Sequence, residues 1–482
     1  MTVPGAHGDR SASTRGALLA AVALAGTLLR PALAEADAPP PILSAEVAAA
    51  LAAEVSGSAA LHTAQELTLH HRQRGSRGFA AAAEAIRGRA AAYGLEQVEV
   101  IRLPADGERF YGTQRSRPAW DAEQAELWEL TRDAAASTGD PDSGWRRARR
   151  IASWDERPMT LAQDSVAGTA TTDLVDVGAG TAPEDYAGKE IAGRLVLTSS
   201  QPGAVQALAV GRFGAAGIVS WAQNQRSAWW GEDESLVRWG HLDTFLEPRT
   251  FAFMVSPAQA RAWQARMAAG ETVRLEASVR AGQRPGAYEI VSAAIPGGDP
   301  ARRHEEIAFS CHLDHPRPGA NDNASGCAAI LEAARAMAAL VADGRLPRPA
   351  RTLRFYWPAE IEGTLALLAD RPEVAERTLA VIHMDMVGGD PAATKAVFHV
   401  TRSPASLPSV SDAVAAAVAR FVDEQTAVFA ASGEAALPLV DPLGGKEPLR
   451  PRLAPFSMGS DHQVWSEGSW RVPAIYLNDW PD

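Results

Sequence analysis

The sequence predicts an α/β protein: a mixed, largely parallel sheet flanked by helices, with a small β-rich domain inserted into it. Three observations predict this. From Ala287 onward, apolar runs of strand length alternate with helical ones: strands at Glu289 to Ala294, Glu306 to Cys311, Thr352 to Trp357, Leu379 to His383 and Ala474 to Leu477, and a long Ala-rich helix from about Ala324 to Leu340. Nearer the N-terminus, Phe79, Ala82, Ile86, Ala90 and Tyr93 recur at helical spacing, Gly94 follows where a C-terminal cap belongs, and Gln97 to Leu103 alternates as a strand. Between about Ser165 and Gly282 the pattern changes to short strands at Thr172 to Val177, Arg194 to Thr198 and Ile218 to Trp221, with a helix near Ala204 to Phe213.

These runs divide the chain into a leader (1–34), a first part of the main domain with its elaboration (42–164), an insertion (165–282) and a larger α/β part (287–482). A length of 482 residues is long for one core, which agrees with this division. The segment from about Pro104 to Gln163, rich in Trp and Arg, reads as irregular elaboration packed on the sheet, and His62, His70 and His71 read as solvent-facing.

The leader carries Arg10 and Arg15, an apolar run from Gly16 to Leu29 and then Ala32-Leu33-Ala34, the small-x-small pattern that signal peptidases cut. The run is short for a bilayer span, so the expectation is a secreted or periplasmic protein without stable membrane insertion. The 46 basic and 58 acidic side chains leave a net charge of -12, which argues against nucleic acid as a partner. Cys311 and Cys327, the two cysteines, are compatible with one bridge in an oxidising compartment, although two small buried apolar side chains is the preferred reading.

The chemistry-bearing residues gather where the strands of an α/β sheet end, the usual place for function in such folds. In Ser310-Cys311-His312-Leu313-Asp314-His315, two-residue spacing puts His312 and Asp314 on one side of the chain. One can bind a metal while the other braces it, because a ligating imidazole commonly donates its second N–H to a carboxylate. Asp322, ten residues beyond His312 in Gly319-Ala320-Asn321-Asp322-Asn323-Ala324-Ser325-Gly326, opens a helix and can bridge two cations. Capping that helix is its other available role. The strand ending at Trp357 runs into Pro358-Ala359-Glu360-Ile361-Glu362-Gly363, with one carboxylate to take a proton from water and one to bind metal. Asp385 ends another apolar strand, where a carboxylate needs a cation or a partner.

In this order, the four segments resemble metallopeptidase family 28, which contains zinc aminopeptidases and glutamate carboxypeptidases and has glutaminyl cyclases as relatives. The resemblance spans about Ser76 to Val100 and Ala287 to Asp482, and the Gly-Ala-Asn-Asp-Asn-Ala-Ser-Gly phrase is its most specific part. It implies a zinc exopeptidase-like fold and two zinc ions. His312, Asp322 and Asp385 match the first, bridging and fourth ligands, and Asp314 matches the residue that orients the first His. Within 165–282, Asp185-Tyr186-Ala187-Gly188-Lys189 and the glycine-led strands after it resemble the protease-associated domain, which implies a module that covers or gates the site.

Two departures stand against the family pattern. The family has adjacent glutamates, base then ligand. Here Glu360 falls at the base position and Ile361 at the ligand position, so Glu362 is the displaced candidate ligand, with the opposite roles for Glu360 and Glu362 open. The family's last ligand is a His beyond the final strand, and no residue matches it. Ser460-Asp461-His462 matches a pocket-lining segment, so Asp461 and His462 are candidate substrate contacts, and the second zinc is expected to bind weakly in a chain cut short. The resemblance implies aminopeptidase action on short peptides through metal-activated water, with Glu360 as the base. Carboxypeptidase or cyclase chemistry and a non-catalytic binding role are the alternatives, and oligomeric state is not legible.

Overall fold

The computed structural model describes residues 39–133, 143–223, 231–435, 437 and 449–480. The leader expected at 1–34 lies outside the described residues. Along the chain, the strands are β1 (Glu96–Ala105), the short pair β2 (Phe110–Tyr111) and β3 (Gln114–Arg115), β4 (Ala119–Arg132), β5 (Trp145–Ser153), β6 (Gly168–Asp176), β7 (Leu195–Thr198), β8 (Gly217–Ser220) and β9 (Ala252–Met254). They continue with β10 (Arg274–Arg284), β11 (Gly286–Ile295), β12 (Glu306–Ser310), β13 (Thr352–Trp357), β14 (Thr378–Met384), β15 (Val397–Thr401), β16 (Arg452–Ala454) and β17 (Ala474–Trp480).

Eight strands form the first sheet in the order β1-β11-β13-β12-β14-β17-β15-β16. Its centre, β13-β12-β14-β17, is parallel, while β11 and β15 run antiparallel on either side of it. Parallel strands need both faces covered, and their near-continuous apolar runs reflect that burial. The helix Arg77–Ala92 supplies part of the cover by burying Phe79, Ala82, Ala83, Ile86 and Ala90, the stripe its spacing predicts. The Ser76 hydroxyl caps its start by accepting the Phe79 N–H at 3.0 Å. Gly94 follows its end at φ +78°, a conformation glycine adopts without a Cβ clash. The helix Gly326–Ala342 packs Ile330, Leu331 and Ala334 into the same core as Phe79, Trp357 and Val381. Each large side chain buried there contributes about 2 kcal/mol through removal of apolar surface from water. Among the described residues one helical run, Ala320–Ala342, is long and apolar enough to cross a membrane, and more than half of its most apolar stretch is buried within this fold.

The second sheet has seven strands in the order β5-β4-β10-β6-β7-β8-β9, with cores of its own around Trp120, Trp263 and Phe253 and around Tyr186, Val196 and Ile218. It takes in β4 and β5, so it begins at Ala119 and not near Ser165. The segment read as irregular elaboration of the main sheet thus contains two long antiparallel strands of the second. Composition hid them: β5, Trp-Arg-Arg-Ala-Arg-Arg-Ile-Ala-Ser, lies at the sheet edge with mostly exposed arginines, so it shows no apolar alternation. Charged edge strands of this kind resist pairing with another chain.

Buried charge joins the two sheets. Asp164 receives the Arg74 guanidinium at 2.8 Å, the Thr244 hydroxyl at 2.9 Å and the Gln283 amide at 3.2 Å. Burial would raise its carboxyl pKa, but Arg74 and Arg117 hold it below the usual carboxylate range.

Candidate metal centre

Parallel neighbours end side by side, so β12, β13 and β14 deliver their following residues to one edge. His312 stands two residues past β12, Glu360 three past β13 and Asp385 one past β14. Asp322 arrives from the loop between β12 and the Gly326–Ala342 helix. Ligand atoms of His312, Asp322 and Asp385 lie within 4.8 Å of one another.

The residues around Asp322 explain the polar phrase that carries it. Asn321, Asn323 and Ser325 fasten this loop onto the chain around Asp385. Asn323 donates to the Met384 carbonyl at 3.0 Å and accepts the Met386 N–H at 3.1 Å, Ser325 accepts the Val387 N–H at 3.0 Å, and Asn321 accepts the Gly388 N–H at 3.0 Å. Gly326 admits no side chain, since a Cβ would stand 2.3 Å from the Met384 carbonyl oxygen. On the other flank, Arg72 is fully buried and donates to the carbonyls of Leu313 and Gly319, each at 2.8 Å, and to those of Leu67 and Pro318. One guanidinium thus holds both ends of the loop that leads from His312 to Asp322. A disulfide, Cys311–Cys327, ties the end of β12 to the helix after Asp322, with Cα atoms 5.4 Å apart. The cysteines are therefore paired and do not act as two independent apolar fillers, because the loop returns Cys327 directly over β12.

Hydrogen bonding fixes the imidazole of His312. Nδ1 lies 3.0 Å from the Asp314 carbonyl oxygen and 3.5 Å from its carboxylate, both acceptors, so Nδ1 carries the proton. Nε2 then presents a lone pair to Asp385 at 3.1 Å and to Asp322 at 3.2 Å. A lone pair facing two carboxylate oxygens requires a cation between them, either a proton or a metal. Burial alone would push the His312 pKa down, but the Asp385 and Glu360 charges raise it well above the usual value. Zinc takes imidazole and carboxylate ligands, commonly three from protein in catalytic sites. The donor set of His312, Asp322 and Asp385 fits it.

Glu360 stands beside this group. Burial raises its pKa well above the ordinary glutamate value, His312 opposes the rise, and Asp385 and Asp314 add to it. The rise strengthens this carboxyl as a proton acceptor, the property a general base uses. Its backbone N–H donates to Asp314 at 2.6 Å. The next residue, Ile361, is held at φ +59°, ψ -60°, with Glu362 N–H donating to the Glu360 carbonyl at 2.5 Å, the pattern of a γ-turn. A β-branched residue there costs about 1–3 kcal/mol. Asp461 helps to offset that cost by accepting the Ile361 N–H at 2.8 Å.

The turn separates the two glutamates. Glu362 is paired with Arg117, accepts the Tyr288 hydroxyl at 2.7 Å and lies 3.5 Å from Arg74. Its expected metal role is therefore corrected: both oxygens are engaged by cations and a hydroxyl, and it lies outside the ligand group. Asp461 and His462, expected as substrate contacts, are both fully buried. Burial pushes the Asp461 carboxyl up to about 7, against the pull of His312 and its hydrogen bonds. His462 Nε2 donates to the Ser457 carbonyl at 2.7 Å, and its ring stacks on Tyr476 with centroids 4.3 Å apart.

Three further residues, His315, Arg72 and His71, take part around the site. His315, inside the quoted His312 motif, places Nε2 3.2 Å from Asp322 Oδ2. Arg72 gave no signal, since a lone Arg between helices looks like a surface residue. His71 is not solvent-facing: its ring packs 4.6 Å from that of Trp154, and Nδ1 accepts the Arg317 N–H at 3.2 Å.

An imidazole, two carboxylates and a raised-pKa glutamate at the strand ends of an α/β sheet are the groups that metal-assisted hydrolysis uses. Residues 291–436 match the sequence model of peptidase family M28. The fold as a whole is similar to a peptidase M28 precursor from Shewanella amazonensis, at 16% identity over 90% of this chain and 87% of that one, with a TM-score of 0.58. It is also similar to a zinc aminopeptidase from Bacillus subtilis, at 15% identity over 88% and 85% of the two chains, with a TM-score of 0.54. At these identities the likeness establishes the fold. No curated protein matches the sequence.

Proposed function

We propose that this peptidase is an exported, zinc-dependent aminopeptidase that removes N-terminal residues from short peptides. The observation that carries the reading is the convergence of His312, Asp322 and Asp385 at one sheet edge, with Glu360 beside them. Zinc held there supplies a lowered pKa for bound water and polarises a carbonyl. Glu360 accepts the proton of the attacking water and returns it to the leaving amine. Asp314 keeps the proton of His312 on Nδ1, which leaves Nε2 free to ligate. N-terminal specificity rests on the likeness to the Bacillus subtilis aminopeptidase. Export rests on the leader pattern and is supported by the Cys311–Cys327 pair, since disulfides persist in oxidising compartments. Hydrolysis of a panel of aminoacyl-nitroanilides beside N-blocked peptides with free carboxyl ends tests the assignment. Cleavage of the first set alone supports it, and cleavage of the second set alone makes the enzyme a carboxypeptidase.

One observation favours a second reading, a binding protein with a degenerate site: Ile361 stands where the family places a ligand, and Glu362 is committed to Arg74 and Arg117. A folded chain that binds zinc and cleaves neither set would establish that reading.

A further inference from the structure

We propose that His315 is a ligand of a second divalent cation, held between its Nε2 and Asp322 Oδ2, and that it stands in for the ligand that Ile361 cannot supply. The inference rests on the zinc-site reading above and adds a residue to it.

His315 Nδ1 lies 2.8 Å from the Pro316 carbonyl oxygen, which can only accept, so Nδ1 is the donor. In the neutral ring Nε2 then carries a lone pair, and it faces Asp322 Oδ2 at 3.2 Å. The other oxygen of the same carboxylate faces the lone pair of His312 Nε2, also at 3.2 Å. Asp322 therefore stands between two imidazoles, each aimed at a different oxygen, as a carboxylate bridging two cations would.

The ring is also pre-positioned. Arg72 and His315 exchange both backbone hydrogen bonds, each at 3.0 Å, and this fixes the main chain under the ring. Gly319, at φ +50°, lets the loop close over it, because a Cβ there would stand 2.6 Å from His315 Nδ1. A donor set of one imidazole nitrogen and one shared carboxylate oxygen suits zinc or cobalt(II), with water filling the remaining positions.

The competing account is a proton on Nε2, which makes the pair a simple ion pair. Zinc titration of the chelator-stripped full chain by calorimetry separates the two. The expected result is two equivalents for the wild type and one for both His315→Ala and the better-filling His315→Gln. With cobalt(II), the same variants lose about half the visible absorption. Circular dichroism of the variants establishes that they are folded. One equivalent in the wild type, or two retained in both variants, would overturn the role of His315 and leave the first site standing. No bound zinc in the folded wild type would overturn the zinc-site reading itself.

Discussion

Asp314 Oδ1 stands 2.6 Å from the backbone nitrogen of Glu360 and 3.5 Å from Nδ1 of His312. One carboxylate thus positions both the candidate ligand and the candidate base, which come from different strands. Replacing Asp314 by Asn keeps the size but puts an amide where an anion was. We expect zinc affinity to fall about 10–100-fold, the usual cost of losing a partner behind a ligating histidine. Competition with a zinc chelator measures it, and unchanged affinity would contradict the role.

Glu360→Gln removes the proton acceptor and leaves His312, Asp322 and Asp385 in place. The expectation is a loss in kcat of about 10²–10⁴-fold, the usual contribution of a general base, with zinc content unchanged. Loss of zinc with activity would make Glu360 a ligand.

Glu362→Gln tests the correction at that residue. It leaves the partly exposed Arg117 without its anion while Arg74 keeps Asp164 at 2.8 Å, so the cost stays below about 3–5 kcal/mol, that of a fully buried pair left uncompensated. Urea unfolding should show that loss while zinc stoichiometry stays at the wild-type value. A stable variant that has lost a zinc equivalent would restore Glu362 as a ligand.

The disulfide closes a short loop around the His312 and Asp322 segment, with a sequence separation of 16 residues. Cross-links of that length contribute about 3 kcal/mol by restricting the unfolded chain. The Cys311→Ser, Cys327→Ser double variant should lose about that much stability and bind zinc more weakly, as read by denaturant melts and chelator competition. Equal stability would show that the Arg72 contacts alone fix the loop.

Stability of the metal-free protein should fall on the acid side. Burial depresses the His71 pKa to about 3 and that of His462 to about 4. Their folded values lie below the ordinary 6.5, so between the two the unfolded chain binds more protons. Their stabilising contribution is complete above pH 6.5 and is lost as pH falls towards those values, at about 1.4 kcal/mol per unit for each group. A stability profile in chelator that is flat from pH 6.5 to 4.5 would contradict the neutral packing of both rings.

Legibility in the sequence followed the local pattern. Strands such as Thr352–Trp357 and the helix beginning at Arg77 announce themselves through periodicity, so the first sheet apart from β15 and β16, and the positions of His312, Glu360 and Asp385 at its edge, are readable. Strand β5 was not, because an exposed edge strand carries no apolar alternation. The fate of Glu362 was hidden for a different reason. Its partners Arg74, Arg117 and Tyr288 lie far away in sequence, and the γ-turn at Ile361 that separates it from Glu360 leaves no mark in residue order.

The central claim is that His312, Asp322 and Asp385 hold a metal on which peptide hydrolysis depends. The most direct test measures zinc content and aminoacyl-nitroanilide hydrolysis together, on the wild type, on chelator-stripped and zinc-restored wild type, and on His312→Ala. We expect activity and zinc to disappear together on stripping, to return together on restoration, and to be absent together in the folded variant. Full hydrolysis by the stripped protein, or a folded His312→Ala that keeps both its zinc and its turnover, would contradict it.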